Sequence, residues 1–300
     1  MGLNTAKVTA LALLSALAIG CSDSNDSSIS GNTGTLSLSL TDAPVDSLLS
    51  VFITFTGVSL QAAGGERTDV VFPEPKTFDM LTLQNGESAT LLDDVVLPAG
   101  RYAWMRLDLS EAEGALYVRD NVGGQYPLSI PSGAQTGLKL VSGFTILANG
   151  QSDFTIDFDL RKSVTLTGSA SSPGDYILRP TLRLVDNAEA GAIGGQVSTA
   201  VTPGVCANPQ IFGGVVYIFE GANVSVDDYD ADSAGALVAA PVTDADGDGT
   251  FNFLAAFLPV GDYTVAYTCE VDNLGVDESL VFTTPVNITV SAGASATVTL

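Results

Sequence analysis

The sequence contains no histidine. That absence removes the imidazole base of Ser-His-Asp and Cys-His catalysis, and with it the commonest nitrogen ligand of transition metals. Basic side chains are scarce: 11 Lys and Arg stand against 34 Asp and Glu, a formal net charge of -23. A surface so acidic lacks the basic footprint that phosphate backbones require, which excludes nucleic acid as a partner. The scarcity is also uneven. No Lys or Arg follows Arg183, whereas Asn187 to Leu300 holds fourteen acids. A segment of one sign repels itself unless salt or bound cations screen it. Tryptophan occurs once, at Trp104, and cysteine three times, at Cys21, Cys206 and Cys269. After residue 20 no stretch repeats apolar residues at a helical period, which argues against a helical protein.

Lys7 is the one basic residue before an uncharged run from Val8 to Gly20, and the run ends Leu17-Ala18-Ile19-Gly20-Cys21. A cationic start, an apolar core too short to span comfortably and small residues before the cut describe a secretory signal peptide over residues 1–20. The cysteine immediately after the cut resembles the lipobox of bacterial lipoproteins. The resemblance implies a diacylglyceryl group on the Cys21 thiol, an acylated new N-terminus and attachment to a membrane through that lipid anchor. Ser22 in the next position implies delivery to the outer membrane of a Gram-negative bacterium. Residues 21–34, with Ser22 to Gly34 small, polar and aperiodic, read as a flexible tether.

From Thr35 the period becomes two. Leu36, Leu38 and Leu40 alternate with Ser37, Ser39 and Thr41, as a half-buried strand requires. Further strands are expected at Phe52–Leu60, with Gly57 as a bulge, and at Thr77–Leu83, Ala89–Leu92, Tyr102–Leu109, Ala115–Arg119, Leu138–Val141, Phe154–Leu160 and Tyr176–Val185. The small, polar stretch Asp186 to Ala192 reads as a hinge. A second series follows at Gly195–Thr199, Val215–Phe219, Ala222–Val226, Gly249–Leu254, Tyr263–Cys269, Ser279–Phe282, Val286–Val290 and Ala296–Leu300. The expectation is an all-β chain of two consecutive β-sandwich domains, residues 35–187 and 188–300. Both contain one pattern, Leu97-Pro98-Ala99-Gly100-Arg101-Tyr102 and Leu258-Pro259-Val260-Gly261-Asp262-Tyr263. Pro presets φ, Gly supplies a positive φ, and Tyr starts a strand with its ring on the core face.

The stretch 36–185 is similar to a bacterial lipoprotein domain family without assigned function, through Leu40-Thr41-Asp42-Ala43-Pro44-Val45-Asp46, Leu97 to Tyr102, Asp157-Phe158-Asp159 with Lys162-Ser163-Val164, and Leu178-Arg179-Pro180 with Leu182-Arg183. The stretch 193–300 resembles the carboxypeptidase-regulatory-like domains, transthyretin-type sandwiches. It does so through Ile193 to Val197, Gly221 to Val224, Thr243 to Gly247 before Phe251-Asn252-Phe253, and Leu258 to Tyr263. These resemblances imply two sandwiches and non-catalytic modules.

Few residues offer chemistry. Asp244, Asp246 and Asp248 alternate ahead of Gly249 and Thr250, with Gly247 between, as in the first half of a calcium loop built from oxygen ligands. The position of an EF-hand's bidentate Glu is Ala255, so a plain turn between strands competes with calcium. Asp228, Asp230 and Asp232 repeat the spacing and either supply further oxygens or form a solvated loop. In an exported chain Cys206 and Cys269 read as a disulfide, worth ~4 kcal/mol in the chain-entropy account, or as two buried thiols. Asp157 and Asp159 lie two apart on one strand face, roughly 7 Å between side chains, within the range of a glycosidase pair. The competing reading is a wet strand face of Thr155, Asp157, Asp159 and Arg161, with Arg179 and Arg183 as salt partners. Trp104 is expected in the core, with an exposed sugar-stacking platform as the alternative. The functional expectation is a non-catalytic, lipid-anchored envelope protein that binds a surface glycan or another envelope protein, with calcium as a structural ion. A carboxylate-dependent hydrolase and a purely structural spacer are the alternatives.

Overall fold

Alternating leucines give the first strand its two faces: Leu36, Leu38 and Leu40 are fully buried, while Ser37 and Ser39 are half-buried on the other side. The computed structural model describes residues 32–42, 48–131, 137–167, 175–198, 213–228, 235–244, 248, 250–272 and 279–300. In chain order the N-terminal half holds β1 (Thr33–Asp42), β2 (Leu48–Ala62), β3 (Arg67–Asp79), β4 (Ala89–Pro98), β5 (Gly100–Leu109), β6 (Leu116–Asp120), β7 (Gln125–Ser129), β8 (Leu138–Leu140), β9 (Phe144–Ile146) and β10 (Gln151–Phe158). The one-turn helix α1 (Leu160–Ser163) follows, then β11 (Val164–Leu166), β12 (Tyr176–Leu178) and β13 (Leu182–Asp186). The C-terminal half holds β14 (Ala190–Val197), β15 (Val215–Glu220), β16 (Val238–Pro241), β17 (Phe251–Pro259), β18 (Gly261–Thr268), β19 (Val286–Val290) and β20 (Ser295–Thr299).

The N-terminal half is a sandwich of two sheets, β13-β10-β1-β4 and a larger one ordered β11-β12-β7-β6-β2-β5-β8, with β3 on β2 and β9 on β5. Leu36, Leu38 and Ile156 from the first sheet share one core with Ile53, Phe55, Met105 and Leu107 from the second. The C-terminal half pairs β17-β14-β20 with β16-β15-β18-β19 over a core of Ile193, Phe253, Val216, Ile218, Val265 and Tyr267. In each half the opening strand lies inside its sheet and runs parallel to a later one, β1 with β10 and β14 with β20. All-β architecture is therefore as the sequence predicts.

Several local expectations are corrected. The run Tyr176–Val185 is two strands in two sheets, broken at Arg179-Pro180-Thr181, where Pro180 has no N–H for a ladder. Leu178, Leu182 and Leu184 nonetheless pack on the same core. The strand expected through Leu160 ends at Phe158, because the Asp159 carboxylate accepts from the Lys162 amide (3.1 Å) and caps α1. The strand expected at Thr77–Leu83 is the end of β3 followed by a 3-10 turn at Met80–Thr82, capped by Asp79. The expected hinge is structured: a 3-10 turn at Asn187–Glu189 leads directly into β14. Ala222–Val226 and Ser279–Phe282 are not strands. Val224, Val226, Leu280 and Phe282 instead cover Val215, Tyr217 and Phe219, so β15 is buried on both faces. The pattern reading misses β7, β9, β11 and β16, each three to five residues long.

The two halves meet across a polar seam. Arg161 Nη1 lies 3.1 Å from Asp272 Oδ2, and the side chains are 1% and 2% exposed. The Tyr217 hydroxyl donates to the same Asp272 oxygen, Arg161 donates to Tyr217 Oη (3.3 Å), and Lys162 Nζ donates to the Ala236 carbonyl (3.2 Å). Gly86 backs against Leu254 and Ala256 of β17. Residues Asn32–Leu300 thus make one compact unit.

Candidate functional site

The repeated Leu-Pro-x-Gly-x-Tyr pattern turns out to be a shared anchor. Tyr102 and Tyr263 are each 1% exposed, and their hydroxyls donate to the carbonyls of Pro98 (3.0 Å) and Pro259 (2.7 Å). Burial raises the pKa of both phenols. Gly100 has φ of +137°, whereas Gly261 is not in the left-handed region, so positive φ is not part of the shared device.

Anchoring Tyr102 inward has a consequence one residue later. The β2–β5 register runs Gln61↔Trp104 and then Ala62↔Tyr102, which leaves Ala103 as an extra residue on β5. Tyr102 and Met105 consequently both face the core, and Trp104 faces outward, half-buried. The expected core position of Trp104 is therefore overturned by a bulge.

The outward face of β3-β2-β5-β8 gathers the scarce cations around this tryptophan. In register across the sheet stand Arg67, Gln61 and Trp104 in one row, and Asp69, Ser59, Arg106 and Lys139 in the next. Lys139 Nζ sits 4.3 Å from the Trp104 ring centre, a cation–π contact. Arg106 Nε donates to Asp108 Oδ1 (2.6 Å) and Nη2 to Ser59 Oγ (3.1 Å), while Ser59 donates to Asp108 Oδ2 (2.7 Å). Arg67 Nε donates to Asp69 (2.5 Å), holding that carboxyl below its ordinary range, with Ser59 and Arg106 adding to the effect. Arg101 precedes the inward Tyr102, faces outward, and lies against Gly143. Val141, 75% exposed, continues the outward alternation of Lys139. Gly137 makes this closeness possible: its φ is +58°, and a Cβ there would stand 2.5 Å from the Leu107 carbonyl and 2.9 Å from the Arg106 stem.

The carboxylates considered for catalysis have other work. Asp157 is buried and paired with Arg183 (2.5 Å), and Asp159 caps α1 and lies 3.8 Å from Lys162 Nζ. The supposed wet face is not wet: Thr155 is fully buried, and Arg161, on α1 beyond the end of the strand, is 4% exposed against Tyr217 and Asp272 of the C-terminal half. Among the metal candidates, Asp244, Asp248 and Thr250 are described and Asp246 lies outside the described residues. Thr243 and Asn252 exchange both backbone hydrogen bonds at 2.8 Å, and the Thr250 amide donates to Asp248 Oδ1 (2.7 Å). Asp228 is buried, and Asp230 and Asp232 lie outside the described residues. Among the described residues no three His, Cys, Asp or Glu groups converge as a metal set. Cys269 is disulfide-bonded; Cys206 and Cys21 lie outside the described residues.

No curated protein matches the chain. Among solved structures it is similar to the Bacillus anthracis TIE protein, at 13% identity and a TM-score of 0.19 over 89% of this chain and 33% of that one. The chain thus spans about a third of that protein's length. It is also similar to GBS52, the minor pilin of Streptococcus agalactiae (11%, TM-score 0.20, 88% of this chain and 94% of that one). A third is BcpA, the major pilin subunit of Bacillus cereus (10%, TM-score 0.20, 89% and 98%). Similarity at this level establishes neither a shared overall fold nor a shared activity. Residues 33–180, which supply nearly all of the N-terminal sandwich and the whole Trp104 face, match the family described as Domain of unknown function (DUF4382).

Proposed function

We propose that the protein is a non-catalytic, lipid-anchored binding module of the cell envelope, which takes a surface glycan or an envelope protein on the outward sheet face around Trp104. The observation that carries this reading is the placement of the sole tryptophan outside the core, among Arg67, Arg101, Arg106 and Lys139, in a chain of net charge -23. An aromatic ring with hydrogen-bonding neighbours on an open sheet face is suited to binding and has no reacting group to offer. The commitment of Asp157 and Asp159 to structural partners supports the same choice over a carboxylate hydrolase. The test is binding of the full chain carrying Cys21→Ser, made soluble, to a glycan array and to purified envelope proteins. Trp104→Ala should remove the signal without changing the melting temperature by more than a few degrees. A signal that survives the substitution places binding elsewhere.

The address rests on Cys21 and Ser22 alone: an outer-membrane lipoprotein whose Cys21→Ser form loses metabolic labelling by fatty acid and leaves the membrane fraction. For the C-terminal half, the three-stranded and four-stranded sheets support the carboxypeptidase-regulatory-like reading. A structural calcium at Asp244, Asp246, Asp248 and Thr250, with or without Asp228, Asp230 and Asp232, is proposed on their spacing. A thermal shift on adding millimolar Ca²⁺, reversed by chelator, tests it. No shift leaves the run as a turn.

A further inference from the structure

Four of the chain's eleven Lys and Arg residues stand on one sheet face with its only tryptophan, against two carboxylates, Asp69 and Asp108, that are both already hydrogen-bonded. Total charge disfavours any anionic partner for the molecule as a whole, but contacts form locally and long-range repulsion is screened beyond about 8 Å at physiological salt. We infer that this face binds an acidic, uronate-bearing polysaccharide, the pyranose ring packing at Trp104 and Val141 and the carboxylates meeting Lys139 and Arg101. The proposal rests on the binding-module reading above and names its ligand class.

The chemistry follows from what each group offers. A pyranose presents an apolar C–H face and a polar rim, so it needs an aromatic or aliphatic surface flanked by donors; Trp104 and the exposed Val141 supply the first and the exposed Arg101 and Lys139 the second. Neutral sugars would leave the cations unused. Arg106 and Arg67 are tied to Asp108 and Asp69, and they fix the face's geometry. Lys139 and Arg101 are exposed, and the Lys139 ammonium, 4.3 Å from the Trp104 ring centre, stands where the carboxylate of a sugar at the indole would meet it. A carboxylate forms charge-assisted hydrogen bonds to such groups, stronger than those a hydroxyl can make. The face is also continuous across four strands, which suits a polymer better than a small molecule enclosed in a cavity.

Because Trp104 is the only tryptophan, emission excited selectively at tryptophan, away from the eight tyrosines, reports on this face. The experiment titrates the full chain carrying Cys21→Ser with oligogalacturonate, neutral dextran of matched length, a DNA oligonucleotide and anionic phospholipid vesicles. The expected result is a saturable emission change with oligogalacturonate and none with dextran. Lys139→Ala and Arg101→Ala, both at exposed positions, should each weaken binding about tenfold with an unchanged melting curve. Calorimetry on Trp104→Phe should show the stacking loss directly. No emission change with uronate at millimolar concentration, an equal response to dextran, or a response to DNA or vesicles alone overturns the proposal. If the glycan array or an envelope protein gives a Trp104-dependent signal while oligogalacturonate does not, the ligand class falls and the binding-module reading stands.

Discussion

Arg161 of the N-terminal half and Asp272 of the C-terminal half form an ion pair from which water is nearly excluded, and Tyr217 donates its hydroxyl to the same carboxylate. Breaking such a pair from one side strands a buried charge. Asp272→Asn should therefore cost about 3–5 kcal/mol in urea unfolding. The triple substitution R161M/Y217F/D272L, which removes these three polar groups together, should recover most of that loss, since well-packed apolar replacements of buried ion pairs are often neutral. If the triple variant is no more stable than the single one, the seam gains its strength from the charges themselves.

The paired tyrosines make a matched test. Tyr102→Phe and Tyr263→Phe each delete one hydroxyl that donates to a proline carbonyl and leave the ring in place. Each should lower stability by about 1 kcal/mol, read as a change in denaturation midpoint with an unchanged slope. The double variant should lose the sum, because the two anchors lie in separate cores.

Alkaline pH should unfold the protein through its buried phenols. Burial raises the pKa of Tyr102, Tyr176, Tyr263 and Tyr267, the last to about 12. A phenol raised in the folded state contributes its full stability below the unfolded value of about 10 and loses it as pH climbs through the folded value. The melting temperature should hold level to about pH 10 and then fall, with phenolate absorbance appearing together with the loss of β-sheet signal. Phenolate formation by all four groups ahead of unfolding would contradict the burial.

Gly137→Ala should destabilise by about 1–3 kcal/mol through the left-handed backbone alone, and more through the clash with the Leu107 carbonyl. Gly123→Ala is the control, with φ of +89° and nothing within 4 Å of the added carbon. The first should exceed the second in a thermal melt, and it should also weaken any binding that depends on Arg106.

The Trp104 face shows where pattern reading stops. Alternation counted from Tyr102 places Trp104 inside, and alternation counted from Met105 places it outside; only the pairing of β5 with Gln61 and Ala62 creates the bulge that decides. Leucine alternation in β1 needed no such help, because β1 keeps one register with β10 from Thr35 to Asp42, and the shifts against its other neighbour put the extra residues on β4. Arg67, Arg101, Arg106 and Lys139 are scattered in the sequence and converge only through sheet register. The burial of Arg161 was equally invisible, since its partners Tyr217 and Asp272 belong to the other half. The two copies of Leu-Pro-x-Gly-x-Tyr carried through to a specific hydrogen bond each, and Arg183, expected as a salt partner on the Asp157 strand face, pairs with Asp157.

The central placement of β1 sets an order of events for a chain made from its N-terminus. Leu38 and Leu40 can pair early with β4, but their other edge waits for Phe154 and Ile156 of β10. Until then a strand with a fully apolar face stands open, and the closing contacts join residues more than a hundred positions apart. Such non-local pairing places folding in the millisecond-to-second range, and it makes the half-finished chain a natural client for holding factors. The C-terminal half repeats the delay, since β14 is completed only when Ser295–Thr299 arrives.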